Sequence, residues 1–113
     1  MTDGPLLARV VPELAERMEA RLREQGEPEL AGQVAGLRIT EVCRCGQPYC
    51  GSFFTSSMPM RRWFMRGRQV ELGGGPPGQV TVDVVRGEIA YVEVLHWDEV
   101  RDAVAKAAGA LRR

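Results

Sequence analysis

The stretch QVTVDVVRGEIAYVEVLHW, residues 79 to 97, constrains the fold more than any other part of the chain. Apolar and polar residues alternate on both sides of Arg86-Gly87, which is the pattern of two half-buried strands joined by a tight turn. A two-residue turn sets Val80 opposite Glu93 and mixes both faces. A three-residue loop with Gly87 left-handed shifts the pairing by one. Val80, Val82, Val84, Ala90, Val92 and Val94 then share one face, and Thr81, Asp83, Tyr91 and Glu93 share the other. A slip of one residue exchanges faces, so the segregated register is the expected one. It also spares Arg86 a positive φ. The sequence therefore predicts a bulged antiparallel hairpin.

The flanking segments fill in the rest. Leu7, Val11, Leu14, Met18 and Leu22 form one apolar stripe and predict a helix over about 5–25. Pro12 either kinks it or opens its main part. Gly26 ends it, and PELAGQVAG predicts a short helix over about 28–35. From Leu37 the period falls to two: LRITEVC, SFFTSSM (52–58) and RQVEL (68–72) read as strands, with GGGPPGQ a linker into the hairpin. Asp98 is a candidate N-cap for a final helix over about 98–111, with Val100, Ala103, Val104, Ala107 and Leu111 as its buried stripe. Elements segregated in this way predict one α+β domain spanning residues 1–113. Its sheet, within about 37–96, has four to five antiparallel strands, mostly in meander, and the N- and C-terminal helices pack on one face.

Composition narrows the function. With 15 basic and 15 acidic residues the net charge is zero, against the basic excess expected of a nucleic-acid binder. No apolar run reaches the roughly 20 residues of a membrane span, and the N-terminus lacks a secretion signal, so the expected location is cytoplasmic. No serine sits in a nucleophile elbow, GGGPPG lacks the lysine of a phosphate loop, and one histidine leaves no second base, so no enzyme activity is expected.

The chemistry concentrates in CRCGQPYC. Cys43 and Cys45 point the same way on an extended strand, about 7 Å apart, and Gly46 to Tyr49 reverse the chain to bring back Cys50. The plainest reading is a tight turn with packed or idle thiols. The alternative is a zinc site, with His96 as fourth ligand or Glu41 or water in its place. A reactive thiol pair is a third reading, although neither C-x-x-C nor a helix N-terminus is there to lower a pKa. An odd cysteine count in a reducing compartment argues against a disulfide framework. A second cluster, Arg61, Arg62, Trp63, Phe64, Arg66 and Arg68, could contact an anion or an acidic protein partner. The leading functional expectation is thus a small non-enzymatic binding or adaptor protein without a cofactor. A zinc-stabilised domain and a thiol-based redox or metal-responsive protein are the alternatives.

CRCGQPYC followed by SFFTS, with VTVDVVRGEIAYVEVLHWDEVRDAV downstream, resembles small proteins of actinobacteria and similar GC-rich bacteria that carry a C-x-C-G-x-x-x-C segment and a V-D-V-V-x-G-x-I hairpin. The likeness covers most of residues 29 to 104 and implies a domain but no activity. The composition agrees with a GC-rich gene: 14 Arg to one Lys, no Asn, and Ile at positions 39 and 89 alone.

Overall fold

A computed structural model describes residues 4–43, 45–55, 67–73 and 77–111. Its order is α1 (Leu7–Val10), α2 (Pro12–Glu24), α3 (Pro28–Gln33) with a 3-10 turn (Val34–Gly36), then β1 (Glu41–Val42), β2 (Phe53–Phe54), β3 (Gly67–Glu71), β4 (Gln79–Val85), β5 (Glu88–Leu95) and α4 (Asp98–Leu111). The five strands form one antiparallel sheet in the order β1-β2-β5-β4-β3. The sequence-predicted α+β architecture is the observed one. The meander is broken once, where β2 pairs with β5 instead of β3. Among the described residues, no helix is long and apolar enough to cross a membrane.

The core lies between the helices and one sheet face. Leu7, Leu14, Met18 and Leu22 from α1 and α2 meet Val80, Val82, Val84, Val92 and Val94, with Val100, Val104 and Ala108 of α4 closing the cluster. Pro12 opens α2 at its first position, after a break at Val11 (φ −137°, ψ 75°). A proline has no N–H to give and fits a first turn, so the break costs little there. Asp98 is already helical, and the carbonyl of Trp97 accepts the N–H of Arg101 at 3.0 Å, so Trp97 stands at the cap. Trp97 is buried, and the Arg17 guanidinium lies over its ring, 5.4 Å from the centroid.

The hairpin has the expected register but reaches it by another device. Val82 pairs with Val92 and Val80 with Val94, as face segregation requires. The turn, however, has two residues: Val85 pairs with Glu88, and both Arg86 (φ 54°) and Gly87 (φ 80°) are left-handed. The extra residue is a bulge between Asp83 and Val84, where Ala90 is passed over. In consequence Ile89, not Ala90, joins the core beside Val84. Burying the larger side chain there gains about 2 kcal/mol for three more carbons, comparable to the roughly 1–2 kcal/mol of a left-handed Arg86. Gln33 at the end of α3 holds the bulged end. Its amide donates to the Gly87 carbonyl (2.7 Å), and its oxygen accepts the Ile89 N–H (3.0 Å).

The expected strand over 37–43 is shorter than its alternation suggests. Its first half turns back on the chain start: Leu7 donates to the Leu37 carbonyl (2.8 Å) and Ile39 to that of Pro5 (2.9 Å). The burial phase then changes, from odd positions at Leu37 and Ile39 to an even one at Val42, and the regular pairing with β2 is confined to Glu41–Val42, with Thr40 donating to the Phe54 carbonyl at its start (2.9 Å). Of the expected strand over 52–58, residues 56–58 lie outside the described part.

Candidate metal centre

β1 and β2 are joined by the cysteine turn, and three contacts hold that turn against the rest of the fold. Cys43 continues the ladder by donating to the Ser52 carbonyl (3.0 Å), while the Cys50 N–H closes onto the Gln47 carbonyl (3.2 Å). On the β5 side Gly51 donates to the Val94 carbonyl and His96 to that of Tyr49, each at 2.9 Å. From above, Arg101 of α4 donates to the Pro48 carbonyl at 2.6 Å. The Arg101 backbone lies so close that a Cβ on Gly51 would stand 2.9 Å from its Cα, so a side chain at 51 would push the helix off the turn. Gly46, at φ 78°, makes the reversal that a side chain would resist.

This frame converges the three thiols. Cys43, Cys45 and Cys50 have their sulfurs all within 4.8 Å of one another. A metal bonded at about 2.3 Å to three sulfurs in tetrahedral geometry spaces them by roughly 3.8 Å, so a small contraction of the turn suffices. The three differ in surroundings. Cys45 is exposed, and its thiol is pushed down, first by the backbone N–H of Gln47 and then by the Cys50 and Cys43 thiols. Cys50 is half-buried and its thiol is pushed up, chiefly by that burial; it donates to the Ser52 hydroxyl at 3.3 Å. Ser52 is itself fixed, accepting the Val94 N–H (2.9 Å) and donating to the Val94 carbonyl (3.4 Å). The phenol of Tyr91 belongs to the same group. Burial holds it above the ordinary phenol range, with Ser52 and Cys43 in hydrogen-bonding contact, and its ring lies 4.6 Å from that of Phe54.

The other sequence-predicted positions fall elsewhere. His96 follows the strand that backs the turn but is not a member of the sulfur group: its ring stacks on Tyr49, with centroids 5.0 Å apart and planes at 21°. Its backbone is left-handed, at φ 62°. Glu41 is exposed, and its carboxylate accepts the Val42 N–H at 3.3 Å. Arg68 lies on β3, forked onto Glu27 with contacts of 3.2 and 3.1 Å. Arg61, Arg62, Trp63, Phe64 and Arg66 lie outside the described residues. Ser52, Tyr91 and Arg101, which shape the centre, carry no motif. Ser52 lies two residues from Cys50 and is within local reach of it, whereas Tyr91 and Arg101 come to the turn only once β5 lies beside β2 and α4 packs over it.

Comparison with family models, with curated proteins and with solved structures finds no match. The site is therefore read from its own residues.

Proposed function

We propose that the chain is a small metal-binding domain in which Cys43, Cys45 and Cys50 hold one zinc ion. The observation that carries this is the convergence of three sulfurs within 4.8 Å on a single turn. Thiolates are soft donors that suit zinc, and an ion there ties β1 to β2, each only two residues long. A cross-link at that point compensates for strands too short to hold the edge of the sheet by themselves. The rest of the fold acts as scaffold for the centre, and zinc serves structure more than reaction chemistry. An adaptor role through the cationic segment rests on Arg61, Arg62, Trp63, Phe64 and Arg66, since Arg68 already has Glu27 as partner.

The test is elemental analysis of the purified full chain together with unfolding. About one zinc per chain is expected, and Cys43→Ser, Cys45→Ser and Cys50→Ser should each remove it and lower the melting temperature by similar amounts, with a chelator reproducing the loss. A metal-free protein whose stability ignores the chelator would overturn the reading. A thiol-based redox role has one observation in its favour: exposed Cys45, with its lowered pKa, stands beside Cys50. Rapid alkylation of Cys45 even in zinc-saturated protein would favour that role over the metal.

A further inference from the structure

The three thiols are offered from one side. Behind them the space is occupied by groups already engaged with the fold. Ser52 exchanges two hydrogen bonds with Val94, and the half-buried Tyr91 phenol lies against Ser52 and Cys43. In front, Cys45, Gly46, Gln47, Pro48 and Tyr49 are all exposed. Among the described residues, the two side chains expected to add a fourth donor, those of His96 and Glu41, are both engaged in other contacts. The His96 ring lies on Tyr49, and its backbone N–H is tied to the Tyr49 carbonyl. Reaching the sulfurs would cost that stack. Glu41 projects at an exposed position with its carboxylate on the Val42 N–H.

A zinc ion completes four ligands; structural sites take all four from protein, and open sites keep one for an exchangeable molecule. On the footing of the three-thiolate centre, we propose that its fourth position opens to solvent and accepts a small nitrogen or sulfur donor from outside the chain, an imidazole or a low-molecular-weight thiolate. Water holds the position in the absence of such a donor. Three thiolates leave a divalent ion with a net charge of −1, so a neutral imidazole displaces water without adding charge, whereas a thiolate makes the centre −2 and binds best when the surrounding solvent screens it. The exposed rim of the turn supplies that solvent.

The full chain loaded with Co(II) gives the readout, because its visible bands report the identity of the fourth ligand and its thiolate charge-transfer band counts the sulfurs. Imidazole and 2-mercaptoethanol, added separately, should each shift the visible bands saturably; the charge-transfer band should stay at the three-thiolate intensity with imidazole and rise by about a third, to four thiolates, with 2-mercaptoethanol. His96→Asn keeps a residue that tolerates a left-handed backbone, and its Co(II) spectrum and response should match those of the parent. Visible bands that neither probe moves, with a loss of Co(II) affinity of about tenfold or more in His96→Asn, would overturn the open position and leave the metal centre standing. No thiolate charge-transfer band at all would overturn both.

Discussion

Asp83 occupies a place that favours an uncharged side chain. It lies on the sheet face away from the helices and is only 6% exposed. Burial pushes its carboxyl above the ordinary range; the hydrogen bond from Gln69 works in the opposite direction, and the charge of Glu93 adds to the rise. A folded pKa above the unfolded one means that this group's contribution to stability is complete below the unfolded value, near 4, and is lost as the pH rises through the folded value. Asp83→Asn removes the charge and keeps an acceptor for Gln69. It should raise the melting temperature at pH 7 and give no gain near pH 3, as measured by thermal unfolding at the two pH values. A loss at pH 7 would mean that the bond from Gln69 to the ionised carboxylate outweighs desolvation. At this scale the sequence tells part of the story. Convergence of Cys43, Cys45 and Cys50 on one turn is legible, but its tightness is not: β1 ends at Val42, so the extended spacing of about 7 Å expected between Cys43 and Cys45 gives way to sulfurs within 4.8 Å. The buried state of Asp83 and the contact of Tyr91 with Cys43 are not legible either, because alternation alone marks both as outward-facing.

Among the elements, α3 and the β4–β5 hairpin are joined by one side chain. Gln33 uses both ends of its amide on the hairpin, donating to Gly87 and accepting from Ile89. Gln33→Ala should cost roughly 1–3 kcal/mol, because a partly buried Ile89 N–H is left without its acceptor. Gln33→Glu keeps the acceptor and loses the donor, so its cost in denaturant unfolding should fall between parent and alanine variant. Equal stability of all three proteins would mean that the bulge holds without the clamp. The hairpin register was readable because six apolar positions had to share a face. The place of the extra residue was not, since it depends on Gln33, some 50 residues earlier in the chain, and on room in the core for Ile89. The shortness of β1 has a similar origin: Leu37 and Ile39 alternate like strand residues but pair with the start of the chain, a long-range choice that alternation does not record.

For the whole molecule, stability should be graded across the sheet. β5 lies at its centre, with β2 on one side and β4 on the other, and β1 forms a two-residue edge. Hydrogen exchange should find the slowest amides in β4 and β5, opening only with global unfolding, and faster exchange through local opening around β1 and the cysteine turn. Zinc should slow exchange in the second group and leave the first unchanged; uniform protection without metal would contradict the grading. The central place of β5 also has a consequence for the growing chain. Phe54 is made 41 residues before Leu95, and at 5–20 residues per second that is about 2–8 s of synthesis. For that interval the side of β2 meant for β5 stays open and all three thiols have been translated, so the ribosome-bound intermediate is the form of this protein most in need of a chaperone and most open to oxidants.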